Sequence, residues 1–522
     1  MINPLALAKA IVTTRLVGPA LPHRYVGQLA ALAWWGFGLV GEAAQAARIA
    51  PNAVAVDDED AGEITYAELL DRAARVAVAL RERGAGPGVQ IGMLARNHVG
   101  ALEVMLGASM LGADLVLCNT GLSAPQLAEV ARRQALTLLV HDDEFAAVVG
   151  GLPQAVARLG EGELGAAAAA LPRGTGPGRP ARAGRTIILT SGTTGTPKGA
   201  VRRNPGGIGP LVSIVDKIPL RAGETVLVSA PIFHTWGYAA IQLCLTLHAR
   251  IVLRRRFTPE AAATTLLEAG CQVMFAVPVM LQRMLEQLPA EPAGRFPKLR
   301  IVATSGSAYP HGFATRFMDR FGDVLYNLYG STEVSWVCIA TPTELRRNPD
   351  SVGTPPHGTV VTILDDDGHE VAPGEVGRIF AGNSMVFDGY TAGSGKPMHD
   401  GLIDTGDLGH IEDGLYVVDG RADDMIVSGG ENVYPAEVES ALLAHPAVRE
   451  ACVIGVPDEE YGQRLAAFVV LRDGARLTAD DVRDQVRAQR ARHCIPRDVV
   501  FLPELPRNAT GKVLARELGR RL

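Results

Sequence analysis

Ten consecutive residues, Thr190-Ser191-Gly192-Thr193-Thr194-Gly195-Thr196-Pro197-Lys198-Gly199, carry five hydroxyl side chains, three glycines and one lysine, directly after the apolar run Thr186 to Leu189. Glycines let backbone N–H groups close on an anion, hydroxyls add donors, and an ammonium supplies a point charge, so the segment suits a polyphosphate. It is not a Walker loop, because Lys198 is followed by Gly199 and the G-x-x-x-x-G-K-[ST] spacing is absent. Six of the 50 basic residues are lysine, which makes a lysine inside a motif informative. Another, Lys512, stands ten residues from the C-terminus in the segment Pro506-Arg507-Asn508-Ala509-Thr510-Gly511-Lys512.

The elements that must position these residues follow a repeated pattern. Thr65-Tyr66-Ala67-Glu68 forms a capping box. Leu69, Ala73, Val76 and Leu80 then recur at helical spacing until Gly84 ends the helix. Strands are expected at Val89 to Leu94, Asp114 to Leu117, Thr225 to Ser229, Gln272 to Ala276 and Leu299 to Thr304, with a helix near Leu102 to Leu111. Strands separated by helices imply βαβ units and parallel sheets, hence an α/β fold. Leu164 to Gly184 shifts to an alanine run followed by Pro172, Pro177 and Pro180, and reads as a surface linker. From Ser351 to about Gly420, D-G pairs such as Asp400-Gly401 and Asp413-Gly414 point to antiparallel hairpins. The last hundred residues return to mixed α/β, with a helix from Pro435 to Ala444 and a strand at Ala451 to Val456.

A length of 522 residues implies two or more domains. Hydrophobic residues at 47% and charged residues at 20% exclude wholesale disorder. A net charge of −6, spread along the chain, leaves no basic footprint for nucleic acid. Six scattered cysteines without a C-x-x-C pair indicate neither a disulfide framework nor a zinc site, and fit a reducing cytoplasm. The uncharged run Tyr25 to Gly41, 17 residues with Gln28 and four glycines, falls short of a membrane span. With Trp34, Trp35 and Phe37 it is expected to dock on the core, the alternative being an interfacial helix in weak peripheral membrane contact.

The loop resembles that of the superfamily of adenylate-forming enzymes, which includes acyl-CoA synthetases, luciferases and peptide-synthetase adenylation domains. The resemblance continues, in family order, through Pro231-Ile-Phe-His-Thr-Trp-Gly237, Tyr329-Gly-Ser-Thr-Glu333, Asp404-Thr-Gly-Asp-Leu-Gly409, Gly420-Arg-Ala-Asp-Asp-Met-Ile426, Gly429-Gly-Glu-Asn-Val-Tyr-Pro435 and the Lys512 segment. It implies a large N-terminal AMP-binding domain of parallel and mixed sheets with flanking helices and a β-rich subdomain (1–422), and a small mobile α+β C-terminal domain (423–522) hinged at Asp423. It also implies a reaction in two halves, in which MgATP converts a carboxylate into an acyl-adenylate and the coenzyme A thiol then displaces AMP.

By resemblance, Lys512 reaches the reacting carboxylate and the α-phosphate, Glu333 holds Mg²⁺ together with Thr194, and Thr332 donates to the α-phosphate. His234 lines the junction of the carboxylate and coenzyme A tunnels. Nucleotide binding is assigned to Thr190, Ser191, Gly192, Thr193, Thr194, Gly195 and Lys198 of the loop. Ser307, Ala308, Asn327, Tyr329, Gly330, Ser331, Arg421 and Asn432 join them, and Asp407 accepts both ribose hydroxyls because one carboxylate offers two acceptors at the spacing of a diol. Asp423, Gly429 and Gly430 are assigned to the hinge and the coenzyme A tunnel. Trp236, Gly237, Val277, Gly306 and Trp336 are assigned to the substrate pocket, whose small and aliphatic residues fit a medium or long chain or a bulky hydrocarbon.

Phe233-His234-Thr235 carries no acid to pair with an α-ammonium, which disfavours a free amino acid. The family often has Trp where Leu402 stands and a basic residue where Asp404 stands, and Arg202-Arg203 reads as a solvated basic face, the alternative being an aid to nucleotide binding. The activity implied is that of an acyl-CoA synthetase acting as a monomer or a homodimer. Its rivals are an acyl-AMP ligase serving an acyl carrier protein, a ligase for a terpenoid natural-product acid, a luciferase-like oxidase, and a non-catalytic scaffold.

Overall fold

Short apolar strands joined through helices build two largely parallel sheets. The computed structural model describes residues 3–17, 22–190, 197–289, 296–310, 312–391, 393, 395–428, 431–458, 462–508 and 511–522. Residues 191–196 of the glycine-rich loop and Gly429-Gly430 lie outside them, as do the side chains of Asp423 and Asn432. The first sheet runs Cys338–Ala340, Leu325–Tyr329, Ile301–Thr304, Val273–Ala276, Thr225–Val228, Arg250–Leu253, Val54–Asp58, Gly62–Thr65, antiparallel only at its two edges. The second runs Ala157–Gly160, Leu138–His141, Gln90–Leu94, Asp114–Leu117, Thr186–Thr190, Lys198–Arg202. Helices cover such sheets on both faces, which is why strands like Val273–Ala276 are buried along their whole length.

The Thr65 capping box starts a helix over Tyr66–Glu82, and the expected strands appear within three residues of their expected ends. The alanine run differs from expectation. It lies in a helix, Glu161–Ala169, that buries Leu164 and Ala168, because alanine costs least in a helix and two apolar positions suffice to dock it. Irregular backbone follows from Leu171 to Arg185.

Three helices precede the first sheet: α1 (Pro4–Thr14), α2 (Pro22–Trp35) and α3 (Leu39–Ile49). Most of α3 is buried, whereas α2 buries only Ala31 and leaves Val26, Leu29 and Trp34 exposed. Among the described residues no helix is long and apolar enough to cross a membrane.

A third, antiparallel sheet runs Ser351–Gly353, Leu415–Arg421, Leu402–Glu412, Gly377–Gly382, Val360–Leu364. Asp400 and Gly401 take φ of 46° and 81°, and Asp413 and Gly414 take 49° and 76°. Both central residues of each turn are thus left-handed, the type I′ geometry that matches strand twist, and they close the hairpins around Leu402–Glu412. After the short turn Ala422–Asp424, the remaining strands form a separate sheet around Val448–Asp458 and Gly462–Leu471, covered by helices Pro435–Leu443 and Ala479–Gln489. All six cysteines are free and buried.

Candidate active site

The glycine-rich loop joins two antiparallel strands rather than a strand and a helix, since Thr190 pairs with Lys198 across the hairpin. Both residues line a cavity of about 1910 Å³ bounded by all of the first three sheets and by the C-terminal segment. Lys512 reaches that cavity from a tight loop in which Asn508 Oδ1 accepts from the Lys512 backbone N–H at 2.9 Å and Arg507 donates to the Gly511 carbonyl at 2.7 Å. Gly511 has φ +83°, and a Cβ there would stand 2.2 Å from Val279 of the N-terminal domain. Only glycine lets the loop sit this close, so Gly511 helps place Lys512 at the mouth.

The segment from Gly330 to Trp336 forms one wall. Glu333 is 7% exposed and accepts from Tyr390 Oη at 2.6 Å, while Tyr390 turns its ring toward the Lys198 ammonium, 5.5 Å from the centroid. The Ser331 hydroxyl accepts from the backbone N–H groups of Glu333 and Val334, and Thr332 Oγ1 shares a hydrogen bond of 2.8 Å with Thr235 Oγ1. Ser335 holds φ +76°, a conformation few non-glycine residues enter. Its hydroxyl is pinned between Arg202 Nη1 at 2.8 Å and the Met385 carbonyl at 2.7 Å, and Arg202 also donates to the Thr332 carbonyl. Arg202 is therefore not the solvated residue expected from the sequence. It is 5% exposed and buttresses the Thr332-Glu333 wall, whereas Arg203 is exposed and paired with Asp388 at 2.6 Å.

Asp407 stands opposite. It accepts from Tyr329 Oη at 2.6 Å and faces Arg421 Nη1 at 3.2 Å. Burial pushes its carboxyl up, against the pull of the Arg421 charge, the Tyr329 hydrogen bond and the more distant Lys396 and Lys512. Asp404 serves the same turn, accepting from Arg378 at 2.5 Å and from the Gly406 N–H at 2.7 Å. The acid standing where the family often has a base thus neutralises a neighbouring arginine.

His234 is half-buried at the N-terminus of helix Thr235–Thr246, with Nδ1 buried and unpartnered among the described residues. Desolvation pushes its imidazole down to about 4, so it is neutral at neutral pH. Trp236 donates to the Ala276 carbonyl at 3.1 Å and Trp336 to Thr359 Oγ1 at 3.0 Å, which fixes both indoles in the cavity wall. Gly306, Ser307, Ala308 and Asn327 also line the cavity. Gly237 and Val277, expected in the substrate pocket, are not among the lining residues. A Cβ on Gly237 would lie 2.1 Å from the Pro231 carbonyl oxygen, so its position is dictated by helix packing, and Val277 is buried behind Gly306.

Sequence reasoning missed Tyr390, Thr235 and Lys396. Lys396 Nζ donates to the Thr405 carbonyl at 2.7 Å beside Asp407, and the scarcity of lysine was a signal that could have singled it out. Tyr390 carries no such signal. Of the residues expected at the site, Ser191, Gly192, Thr193, Thr194, Gly195, Gly429 and Gly430 fall outside the described residues. A second cluster of His98, Asp142 and Glu161 lies outside the cavity lining, and Arg255 faces both of its acids, at 3.5 and 2.8 Å, as an ion-pair network.

Comparison with known proteins names the class to which this fold and site belong. Residues 43–391 match the AMP-binding enzyme family and residues 437–512 its C-terminal domain. The chain belongs to the AMP-binding enzyme family. It is 33% identical to a feruloyl-CoA synthase of Amycolatopsis over 91% of this chain and 97% of that protein. It is 31% identical to the fatty acid–[acyl-carrier-protein] ligase ScoC of Streptomyces coeruleorubidus over 87% and 91%. Among solved structures it resembles the o-succinylbenzoate CoA synthetase of Bacillus subtilis in complex with its acyl-adenylate intermediate, with a TM-score of 0.81 and 27% identity over 91% of this chain and 97% of that one.

Proposed function

We propose that the chain is an ATP-dependent acid–thiol ligase that activates an apolar carboxylic acid as acyl-AMP and transfers the acyl group to coenzyme A. The observation that carries this reading is the meeting of Lys512, from the C-terminal segment, with Glu333, Thr332 and Asp407 of the N-terminal sheets on one cavity. In the first half-reaction a carboxylate oxygen attacks the α-phosphorus of ATP and pyrophosphate leaves. Lys512 neutralises charge on the carboxylate and α-phosphate, and Thr332 donates to the phosphate. Asp407 receives the ribose hydroxyls, with Arg421 beside it, and Tyr329 holds the carboxylate in place. In the second half-reaction the thiol attacks the acyl carbonyl, the thiol proton is released and AMP leaves. A neutral His234 at the tunnel junction adds no positive charge there.

Glu333 suits Mg²⁺, because this cation is held by one or two carboxylates plus substrate phosphates, and Glu333 offers a carboxylate on the cavity wall. Bound magnesium would neutralise phosphate charge; Thr194 is the second residue assigned to it. The short turn Ala422–Asp424 connects the third sheet to the C-terminal sheet, which supports a boundary after Ala422 with Asp423 as hinge and 423–522 as the mobile domain. The free, buried cysteines support a cytoplasmic setting.

The test is carboxylate-dependent exchange of labelled pyrophosphate into ATP, run without coenzyme A over fatty, aryl, polycyclic and amino acids. Exchange with an apolar class is the expected result, and exchange with none, by folded protein that binds ATP, overturns the reading. The likeness to an acyl-carrier-protein ligase favours a second acceptor. Trapping the acyl group on pantetheinyl protein rather than coenzyme A separates the two.

A further inference from the structure

The cavity does not end at the indole of Trp236. It continues along helix Thr235–Thr246, where Thr235, Ala239, Gln242 or Leu243, and Thr246 line it at intervals of three or four residues and so present one helix face. At 1.5 Å per residue this arm is about 16 Å long. Its near end is the Thr235 hydroxyl bonded to Thr332 at the proposed reaction centre. Apolar residues line it too, among them Leu32 of α2, Phe37 of the turn after it, Ile208 and Leu211. Its far end is polar, formed by Glu42 and Gln45 of α3, Gln28 of α2 and Thr246.

These polar groups differ in how they are satisfied. Gln45 Nε2 donates to the Leu245 and Thr246 carbonyls at 3.1 and 3.2 Å, and its Oε1 accepts from Gln28 at 2.5 Å. The Thr246 hydroxyl donates to the Gln242 carbonyl at 2.8 Å. Glu42 is 5% exposed, yet its Oε2 has no hydrogen-bond partner among the described residues. Glu42 nevertheless lines the cavity through the little surface it keeps, and an unsubstituted hydrocarbon there would strip water from it without returning a hydrogen bond.

We propose that the far end of this arm is a subsite for a hydroxyl or carbonyl oxygen carried on the distal end of an otherwise apolar carboxylic acid, and that Glu42 is the residue that reads it. A protonated carboxyl there can donate to either oxygen and accept from a hydroxyl. Helices α2 and α3 thereby gain a role as the floor of the acid site. The inference rests on the reading of the cavity as the acid site.

The experiment is isothermal titration calorimetry on the full chain with a non-hydrolysable ATP analogue, comparing ω-hydroxydodecanoic acid with dodecanoic acid, together with pyrophosphate exchange on both. The wild-type protein is expected to bind the hydroxy acid about three- to tenfold more tightly, the worth of one neutral hydrogen bond. Glu42→Leu is expected to lose that preference and Glu42→Gln to keep it. Equal affinities in the wild type, binding of neither acid, or an unchanged preference in Glu42→Leu overturns the subsite. The wild-type comparison stands even where Glu42→Leu does not fold. Exchange without any preference removes only the subsite, whereas a preference in binding without exchange removes only the proposed reaction.

Discussion

Substituting Glu42 by glutamine should make the protein markedly less sensitive to rising pH. Burial raises the Glu42 carboxyl from its ordinary 4.5 to about 8, and a Thr246 hydroxyl beside it offsets this only in part. The group is acidic and its pKa is raised on folding, so between those two values the folded state holds a proton that the unfolded state has released. Stability from this source is complete below about 4.5 and is lost as pH rises, levelling off above about 8. A shift of some 3.5 units at about 1.4 kcal/mol each gives a total near 5 kcal/mol, of which about 3 kcal/mol is already spent at neutral pH. Glutamine has nearly the same shape and does not titrate. The difference between the two proteins therefore isolates Glu42 from every other group that titrates in the same range. Measured by urea unfolding from about pH 5 to about pH 9, the wild type should lose about 4 kcal/mol relative to Glu42→Gln. Parallel stability curves for the two proteins would refute the reasoning, because they would show Glu42 to be an ordinary carboxylate in contact with water.

Lys512→Ala should lower pyrophosphate exchange by about a hundredfold or more while leaving thioester formation from supplied acyl-AMP largely intact, since the lost charge serves the first step; single-turnover assays of the two halves check this. Asp423→Pro, which locks φ, should slow one half-reaction far more than the other in the same assays. Asp407→Asn should raise the KM for ATP by about tenfold to a hundredfold, the worth of charged hydrogen bonds to the ribose, with kcat less affected in steady-state kinetics. Gly237→Ala should destabilise by about 1–3 kcal/mol, read as a lowered melting temperature, because the added Cβ meets the Pro231 carbonyl oxygen at 2.1 Å.

Much of the fold was legible because its signals are local. The Thr65 capping box, the apolar runs of the parallel strands and the Asp400-Gly401 and Asp413-Gly414 turns act within a few residues of themselves, so the sequence predicts them and the structure contains them. The alanine run misled for the same reason: proline and glycine downstream dominate its composition, while the two side chains that dock its helix, Leu164 and Ala168, matter only once a core exists to receive them. Arg202 was misread because two adjacent arginines look alike in sequence, and only packing buries one against Thr332 and Ser335 while the other meets Asp388 at the surface.

The chemistry of this protein was set by residue types and spacing, since a glycine- and hydroxyl-rich loop with a rare lysine, a carboxylate after Tyr329-Gly-Ser-Thr and a lysine near the C-terminus carry their capabilities wherever they lie. Their assembly belongs to the tertiary structure. Tyr390 beside Glu333, Lys396 beside Asp407, the Gly511 loop against Val279, and Glu42 closing a 16 Å arm (about 1.5 Å for each residue of the helix that lines it) join segments far apart in the chain. Desolvation is the physical reason: it raises the Glu42 carboxyl and lowers the His234 imidazole, and it exists only when distant segments pack together and exclude water.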